Sequence, residues 1–521
     1  MAQGKIAVAM ADARFPHIPT LVETLAAAVD HEPHRTAIVC RDAQVTYAEL
    51  GRAVAGLADR LSRLDVAGGR VVVLMPNAVE TAVALLAVTA AHAQVAPVNP
   101  FFTEHELEPI FAIAQAAAVI CDGSTAAKAR LMAERFGIHH VLVMGTGDLQ
   151  REAWTSDSSL RLDARHVPRP DDLALLIFTG GTTGVPKGVN HTHTGITRSF
   201  VQHCSVWPVD FGAERFLTVT PMFHIWGLSY AAWMPMYARS TLVIVPRYDP
   251  DTVVAALAAH KITVFAGGPA PIYMGLLRSP VMATADLSSL KYCLSGGAPC
   301  PEELHREWLA RTGCPLFEGW GMTEGAPLCL NPASGVRKVL SIGLPVPDTD
   351  LEVVDVESGT RVLPTGQSGE LRVRGPQVTS GYRNNPTETA SALRDGWLYT
   401  GDIGYRDEDG YVFIVDRKKE IAIVGGYNVY PRQVEEVLFR HPKIQEAGVV
   451  GRPDRDLGEV VVAFVVLKAG EHMTPEEFFE YCRAEMVKYK RPVDVTFVDA
   501  LPRTGAGKIN KLQLKRLAVA S

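Results

Sequence analysis

The chain alternates short apolar runs with segments whose apolar residues recur at helical spacing. Residues 71–75 (VVVLM), 173–178 (LALLIF) and 241–246 (TLVIVP) are continuous apolar runs, typical of strands buried on both faces of a parallel sheet. Thr46 and Glu49 form a capping box ahead of an amphipathic helical segment. The second apolar run leads into a glycine-rich loop, and we expect a helix to follow that loop. Strand, loop and helix in this order predict an α/β fold that binds its ligand at the C-terminal edge of a sheet.

The pattern changes in the last third of the chain. Runs that alternate in polarity flank a turn at Asp409–Gly410, which indicates antiparallel β structure. The C-terminal residues then predict a compact mixture of helices and strands. A charged stretch, residues 416–420 (DRKKE), lies between these two regions. We therefore predict an N-terminal domain of residues 1–417 and a C-terminal domain of residues 418–521.

Composition narrows the class of protein. With 521 residues, the chain is too long for a single hydrophobic core. Its 47% hydrophobic and 21% charged residues are those of a globular protein, and its net charge of −6 argues against a nucleic-acid partner. No run approaches the ~18 apolar residues of a membrane span, and the N-terminus does not resemble a signal peptide. The eight cysteines are scattered without a C-x-x-C pair, so we expect reduced thiols in a cytoplasmic enzyme.

The glycine-rich loop at residues 178–189 (FTGGTTGVPKGV) has the composition of a phosphate-binding loop. Its glycines let backbone N–H groups approach a ligand, while its threonines and Lys187 add hydrogen-bond donors. It does not match G-x-x-x-x-G-K-[ST], because Gly188 follows the lysine and no hydroxyl is placed for magnesium. The segment is therefore a different kind of phosphate loop or a surface turn, and its local sequence leaves both open.

Eight motifs occur in an order that resembles the adenylate-forming acyl-CoA synthetase superfamily, in its fatty-acid and aryl-acid CoA ligase branch. They are FTGGTTGVPKG (178–188), PMFHIWG (221–227), SGGAP (295–299), EGWGMTE (318–324), WLYTGD (397–402), DRKKE (416–420), GGYNVYP (425–431) and LPRTGAGKI (501–509). The resemblance implies an α/β fold with a large N-terminal domain, made of two α/β sheets plus a small β-barrel, and a small mobile α+β C-terminal domain. It also implies that a carboxylate attacks the α-phosphate of ATP in the presence of Mg2+, and that the thiol of CoA then displaces AMP.

The resemblance further implies a nucleotide site. Glu324 would bind Mg2+, for which a hard carboxylate oxygen is suited, and Thr323 would contact the α-phosphate. Asp402 would accept hydrogen bonds from the ribose hydroxyls, with Arg417 beside it. From local sequence alone, Glu324 is typical of a surface acid and Asp402 of a turn. The implied ATP-binding and AMP-binding residues are Thr179, Gly181, Thr182, Thr183, Gly184, Lys187, Gly296, Gly297, Ala298, Glu318, Gly319, Trp320, Gly321, Met322, Thr323, Asp402 and Arg417.

The C-terminal motifs imply a reaction in two conformations. Lys508 would bridge the carboxylate and the α-phosphate during adenylation, and Lys419 would be the hinge about which the small domain turns. Gly425, Gly426 and Tyr427 would then line the tunnel for CoA. From local sequence alone, both lysines are typical of solvated loops. The implied catalytic residues are Lys508, Thr323, Glu324 and His224.

The motif PMFHIWG bears on the acid substrate. The implied acyl pocket consists of His224, Trp226, Gly227, Gly297 and Gly321. Amino-acid-activating relatives have an Asp where this chain has Ile225, and an apolar residue there would leave a buried ammonium unpaired. We therefore expect an apolar medium-chain, alicyclic or aryl acid. Trp226 would either shorten an acyl channel or gate a longer one.

Alternative functions stay open. One is an enzyme that passes the acyl-adenylate to a carrier protein or oxidises it, and another is a non-catalytic adenylate-binding protein. The GGYN motif favours CoA over a carrier protein, and the presence of Lys508, Glu324 and Asp402 favours a catalyst. The expected partners are the acid, ATP and CoA, and a homodimer is left open.

Overall fold

The computed structural model describes residues 19–145, 159–179, 186–297, 300–503 and 509–520. Contacts divide the chain into two compact units, Met1–Asp350 with Val373–Leu398 and Leu351–Arg372 with Tyr399–Ser521. The expected domain boundary after residue 417 lies inside the second unit, and it remains a prediction.

The helices cluster in the first unit and at the C-terminus. The α-helices are α1 (Leu21–His31), α2 (Tyr47–Ser62), α3 (Val79–Ala90), α4 (Glu104–Ala114), α5 (Ala126–Arg135), α6 (His193–Val206), α7 (Ile225–Leu228), α8 (Met234–Tyr237), α9 (Pro250–Ala259), α10 (Ala270–Arg278), α11 (Glu302–Thr312), α12 (Pro386–Ala392), α13 (Pro431–Phe439), α14 (Pro475–Glu485) and α15 (Lys511–Ala520). A π-helical segment, Ser229–Trp233, joins α7 to α8. Short 3-10 turns are Ala164–His166, Pro280–Ala283, Lys418–Glu420 and Lys488–Lys490.

The strands form four sheets. They are β1 (Thr36–Cys40), β2 (Ala43–Thr46), β3 (Arg70–Leu74), β4 (Gln94–Pro97), β5 (Ala118–Cys121), β6 (His140–Val143), β7 (Leu173–Thr179), β8 (Lys187–Thr192), β9 (Arg215–Thr218), β10 (Thr241–Ile244), β11 (Val264–Gly268), β12 (Tyr292–Gly296), β13 (Leu316–Met322), β14 (Gly325–Leu330), β15 (Leu344–Pro345), β16 (Asp350–Val354), β17 (Gly369–Arg374), β18 (Gly381–Tyr382), β19 (Leu393–Arg394), β20 (Trp397–Arg406), β21 (Val412–Arg417), β22 (Ala422–Val424), β23 (Tyr427–Val429), β24 (Ile444–Asp454), β25 (Gly458–Leu467) and β26 (Asp494–Phe497).

Two large sheets build the first unit. The nine-stranded sheet has the order β15-β14-β13-β12-β11-β9-β10-β1-β2, and the seven-stranded sheet has the order β18-β8-β7-β4-β3-β5-β6. Their central strands are parallel, and the three apolar runs form β3, β7 and β10 as predicted. Helix α3 is buried along its whole length and contacts strands of both sheets. A helix that is apolar all round is expected in such a position, because it has no face that suits water.

The element after the glycine-rich loop corrects one prediction. The loop is followed by strand β8, and helix α6 begins only at His193. Strand β8 pairs antiparallel with β7, with Thr179 opposite Lys187. Its sequence, KGVNHT, is mostly polar, so it carries no hydrophobic pattern that would identify a strand. Pairing on both edges, with β7 and with β18, stabilises it as a strand instead.

The capping box at Thr46 and Glu49 is confirmed. The Thr46 hydroxyl accepts the Glu49 backbone N–H at 3.3 Å, and the Glu49 carboxylate accepts the Thr46 backbone N–H at 2.8 Å. Helices α1, α4 and α14 begin with the same Thr–Glu arrangement. Each such cap contributes about 1 kcal/mol by satisfying backbone donors that the helix itself leaves free.

The remaining sheets are antiparallel for the most part. A five-stranded sheet has the order β16-β17-β20-β19, with β21 paired to β20 through the predicted turn at Asp409–Gly410. The C-terminal sheet has the order β23-β22-β25-β24, with β26 paired parallel to β25, and α13 and α15 pack on β24. This mixed α/β architecture confirms the predicted fold class. Within the described residues, we find no helix with the length and apolar character needed to cross a membrane.

Candidate active site

Strands β9, β11, β12 and β13 end at one edge of the nine-stranded sheet. Strands β12 and β13 run parallel, with Ser295 opposite Glu318 and Gly296 opposite Gly319. Because parallel strands present their carboxyl ends at a common edge, three of the sequence motifs meet there. The loop after β9 contributes His224 and Trp226, as described below.

Thr323 and Glu324 form the two-residue turn between β13 and β14, where Met322 pairs with Gly325. The turn is held from two sides. The Thr379 backbone N–H donates to the Glu324 carbonyl at 2.7 Å, and the His191 imidazole bonds the Thr323 carbonyl at 2.7 Å. Burial lowers the pKa of His191 to about 4, so the ring is neutral and donates through Nε2.

Among the residues that the structure describes, the direct side-chain partner of the buried Glu324 carboxylate is Tyr382. The Tyr382 hydroxyl donates to Glu324 Oε1 at 2.8 Å. Burial and the adjacent carboxylate raise the pKa of Tyr382, so its hydroxyl remains a donor at neutral pH. The hydroxyl bonds one of the two carboxylate oxygens, and carboxylate oxygens are suited to a hard dication.

Lys187 lies beside the same tyrosine. Its ammonium is 5.1 Å from the centre of the Tyr382 ring, and it forms an ion pair with Glu388 on α12. A spatial row of three side chains therefore runs from Lys187 on β8 through Tyr382 on β18 to Glu324 in the β13–β14 turn. Thr179, the last residue of β7, pairs with Lys187 across the mouth of the glycine-rich loop.

Trp226 contacts the ends of two strands. Its indole N–H donates to the Ala266 carbonyl of β11 at 3.2 Å. A Cβ atom on Gly296 would lie 2.6 Å from the Trp226 ring, so only glycine at that position admits the indole. His224 caps α7, because its Nδ1 accepts the Trp226 backbone N–H at 3.3 Å. Gly227 follows within α7.

Asn77 holds the loop that carries His224, a role that the sequence analysis did not predict. Asn77 follows β3 of the seven-stranded sheet. Its side chain donates to the Thr220 carbonyl at 2.9 Å and accepts the Met222 backbone N–H at 2.9 Å. One buried carboxamide thus joins the ends of both sheets. A polar residue after a buried strand is the only local hint, and it does not identify the partner.

Glu318 has two partners near the start of α11. The Cys300 backbone N–H donates to its Oε1 at 3.2 Å, and His305 Nε2 lies 3.2 Å from its Oε2. The Cys300 thiol, His305 and Glu318 could together reach one metal ion. Burial raises the pKa of Cys300, however, which keeps the thiol protonated and disfavours a metal–thiolate bond. Gly319, Trp320, Gly321 and Met322 of the same motif also lie on β13.

The second unit contains Asp402 and Arg417 on paired strands β20 and β21. They lie directly opposite each other, and Arg417 Nε is 2.6 Å from Asp402 Oδ1. Asp402 lies within strand β20 and its side chain is only 2% exposed, so the alternative of a turn residue is wrong. The neighbouring Asp416 accepts backbone N–H groups from Arg417 at 2.7 Å and from Arg432 at 2.9 Å. Burial raises the pKa of Asp416 to about 6.

The GGYN motif forms a hairpin turn in the same unit. Gly425 and Gly426 have φ of 57° and 84° and connect β22 to β23, a turn for which two glycines are the favoured residues. The turn accounts for both glycines without CoA. Tyr427 is exposed and stacks on Tyr489 with ring centroids 4.6 Å apart. Lys419 lies in the 3-10 turn Lys418–Glu420, between β21 and β22.

Several expected site residues lie outside the described residues. They are Gly181, Thr182, Thr183, Gly184, Ala298 and Lys508. Gly297, the last residue of the described range 186–297, has φ of 78°.

Comparisons with known proteins place this geometry in a family. The AMP-binding enzyme family model matches residues 25–383, and the model of its C-terminal domain matches residues 433–508. A long-chain-fatty-acid–CoA ligase of Bacillus subtilis is 38% identical over 86% of this chain and 85% of that protein. The 4-coumarate–CoA ligase 3 of Oryza sativa is 36% identical over 91% of this chain and 87% of its own. ATP-bound MatB from Rhodopseudomonas palustris superposes with a TM-score of 0.88, at 32% identity over 95% of this chain and 98% of MatB.

The chain therefore belongs to the adenylate-forming AMP-binding enzyme family, as its motifs indicated. Within that family it is an AMP-forming acyl-CoA synthetase, which joins a carboxylic acid to CoA by way of an acyl-adenylate. ATP and CoA are its substrates. The expectation of an acid–CoA ligase is thereby confirmed.

Proposed function

We propose that the enzyme activates an apolar medium-chain, alicyclic or aryl acid, and that the acyl group lies against Trp226. The observation that supports this is the aromatic wall at the strand edge. The Trp226 indole rests on Gly296, and the Tyr230 ring packs edge-on against it at 5.1 Å. Ile225 is buried beside this wall, where a charged ammonium would be costly. The named relatives are ligases of long-chain fatty acids and of 4-coumarate, so the similarity does not determine the length of the acid substrate.

The nucleotide roles are also proposals. Lys187 and the loop threonines would hold the β- and γ-phosphates, Glu324 would bind Mg2+, and Thr323 would contact the α-phosphate. Magnesium would neutralise phosphate charge when bound. Trp320, which lies on β13 with Glu318, would stack against adenine. Asp402 and Arg417 would hold the ribose. The remaining residues of the site are Thr179, Gly181, Thr182, Thr183, Gly184, Gly296, Gly297, Ala298, Gly319, Gly321 and Met322.

Adenylation then requires that two anions meet. A carboxylate oxygen of the substrate bonds to the α-phosphorus as the bond to the bridging oxygen of pyrophosphate breaks. Lys508 would offset the charge of both groups, and preorganised donors of this kind contribute on the order of 10²–10³ in rate. His224, held in one orientation by its bond to the Trp226 backbone, would close the carboxylate end of the acyl pocket. Gly227, Gly297 and Gly321 would complete that pocket.

The thioester step needs a second arrangement. The CoA sulfur bonds to the acyl carbon, AMP leaves with the electron pair, and the thiol proton passes to solvent. We propose that residues 418–521 turn about Lys419 to withdraw Lys508, and that Gly425, Gly426 and Tyr427 then flank the CoA arm. The exposed ring of Tyr427, stacked on Tyr489, offers a flat apolar face for that arm.

Pyrophosphate and AMP release across a panel of acids tests these proposals. The panel runs from acetate to palmitate, with benzoate, cyclohexanecarboxylate and coumarate, each with and without CoA. We expect pyrophosphate release with a medium-chain, alicyclic or aryl acid, and AMP turnover only with CoA. A best acid at either end of the series, acetate or palmitate, would refute the proposed substrate class. Pyrophosphate release that is indifferent to CoA would instead point to another acceptor, such as a carrier protein.

A further inference from the structure

Three arginines lie at the edge of the nine-stranded sheet that is opposite to the candidate active site. Strands β9, β10 and β1 are adjacent and parallel. Arg215 is the first residue of β9, Arg239 lies two residues before β10, and Arg35 immediately precedes β1. Parallel strands begin at a common edge and end at the other. The three arginines therefore lie where the strands begin, whereas the candidate active site lies where strands of the same sheet end.

Contacts bring Arg35 and Arg239 to the same place. A Cβ atom on Gly212 would lie 3.6 Å from Arg35 Nη2, and the Gly212 backbone N–H donates to the Ala238 carbonyl at 2.8 Å. The Arg239 guanidinium lies 6.0 Å from the centre of the Phe211 ring. Both guanidinium groups thus lie against the short segment formed by Phe211 and Gly212.

Electrostatic effects connect these two side chains to their surroundings. Burial lowers the pKa of Arg215, and the Arg35 guanidinium lowers it further. Burial raises the pKa of Tyr47, and the charges of Arg35 and Arg239 both oppose that rise. Effects between charges decrease with distance, so the three arginines form one cationic cluster, which we call the arginine group.

The arginine group has few partners among the described residues. The acid that pairs with it there is Glu32, whose Oε2 lies 3.4 Å from Arg35 Nε. The Nε atoms of Arg35 and Arg239 are buried and make no hydrogen bond to any described residue. A buried donor without a partner is costly, and guanidinium donors are strong. Three arginines and one glutamate leave a net charge of +2 on this cluster.

Two lysines at the same edge of the sheet provide a comparison. Lys261 precedes β11 and is paired with Asp286 at 3.8 Å. Lys291 precedes β12 and is paired with Asp210 at 2.6 Å and with Glu214 at 2.7 Å. The described part of the chain thus supplies acids for both lysines, whereas the arginine group keeps an excess of positive charge.

We propose that the arginine group binds a phosphate group, as a free ion or as part of a small molecule, at a second site remote from the candidate active site. The planar fork of a guanidinium donates two parallel hydrogen bonds to phosphate oxygens. A dianionic phosphate would balance the charge of the cluster, whereas a single carboxylate would balance half of it. The Arg35 side chain is 34% exposed, so a ligand can reach it from solvent. The proposal does not depend on which acid the enzyme activates.

Calorimetric titration of the full chain tests the proposal, in low salt and without ATP, acid or CoA. The ligands are inorganic phosphate, pyrophosphate and phenyl phosphate, which stand for the free ion, the reaction product and an organic ester. Lys187→Met is the background, because the glycine-rich loop is itself expected to hold phosphate. At least one ligand should bind this protein. Adding Arg35→Gln or Arg239→Gln should weaken that binding by at least about tenfold, because charge-assisted hydrogen bonds are lost.

Lys261→Gln is the matched control. It removes one positive charge from the same edge, but Lys261 is paired with Asp286 and lies outside the arginine group. This change should weaken binding by less than about twofold. Urea titrations of the unliganded variants would verify that each is folded.

Three results would overturn the proposal and leave the proposed ligase intact. The first is that none of the three ligands binds the Lys187→Met protein, even where the unmodified enzyme binds them, since phosphate would then bind at the glycine-rich loop alone. The second is binding that survives both Arg35→Gln and Arg239→Gln in folded protein. The third is an equal loss with Lys261→Gln, which would indicate general attraction to a charged edge instead of a site.

Discussion

Replacing Glu388 with Gln should tighten the binding of ATP. In the structure, Lys187 is held in an ion pair with Glu388, and the two side chains are 19% and 42% exposed. If Lys187 binds phosphate, the triphosphate must compete with this carboxylate for the same ammonium. A partly exposed pair of this kind is worth about 0.5–1 kcal/mol. Removing the carboxylate should therefore lower the Kd for ATP by about two- to fivefold.

The substitution leaves the local fold intact. The Glu388 backbone N–H donates to Asn385 at 3.1 Å, and this cap of α12 does not use the Glu388 side chain. The assay is titration calorimetry with ATP and Mg2+ in the absence of acid, so that no turnover occurs. Glu108→Gln is the control, because Glu108 is 41% exposed and paired with Arg135, well removed in sequence from the glycine-rich loop. It should leave the Kd for ATP unchanged.

A double-mutant cycle isolates the cause. In a Lys187→Met background, Glu388→Gln should have no effect on the Kd for ATP, because the ammonium for which Glu388 and the triphosphate compete has been removed. The tightening should also shrink at high salt, where the attraction between Lys187 and Glu388 is screened. Equal tightening with and without Lys187 would refute the competition, as would weaker binding of ATP by Glu388→Gln alone.

Three further predictions concern the C-terminal half of the chain. Lys508→Ala should lose at least about 10² in pyrophosphate release yet retain thioester formation from supplied acyl-adenylate; equal loss in both half-reactions would remove Lys508 from the adenylation step. Lys419→Pro should spare adenylation and slow thioester formation, measured against Lys419→Ala, because proline fixes φ at the hinge. Asp416→Asn tests a pH effect: the difference between pKa 3.8 unfolded and about 6 folded means that the folded state binds the proton more tightly. The wild-type free energy of unfolding, relative to that of Asp416→Asn, should therefore fall by about 2 kcal/mol as pH rises from 4 to 6.5, and a constant difference in urea titrations would contradict it.

Local physics explains what the sequence could predict. Apolar runs that suit a doubly covered parallel strand formed β3, β7 and β10, and a Thr–Glu pair capped α2. Each of these two signals is contained within a few consecutive residues. Strand β8 was missed because its stability comes from its neighbours, β7 and β18, and its own residues are mostly polar. The expected helix begins only at His193, after strand β8.

The side chains that position the site could not be predicted from local sequence. Tyr382 is 58 residues from its partner Glu324, and Asn77 is 143 residues from Thr220. A tyrosine or asparagine in an unremarkable loop gives no sign of such a partner. His203 is the same case in a helix: its sequence context is amphipathic, and only the packing of Tyr230 and Trp207 around it reveals complete burial.

Tyr382 links the two charged groups on which the nucleotide proposals depend. Lys187 lies over its ring, where the face of the π-system attracts a cation, and Glu324 accepts its hydroxyl. A cation in place of the phenol would neutralise Glu324 and weaken it as a magnesium ligand. The neutral hydroxyl orients the carboxylate and leaves its charge in place. The same ring lies between Lys187 and Glu324, so under the proposed roles the lysine would pair with phosphate and the acid with magnesium. A direct Lys187–Glu324 ion pair would have satisfied both charges and left neither for the nucleotide.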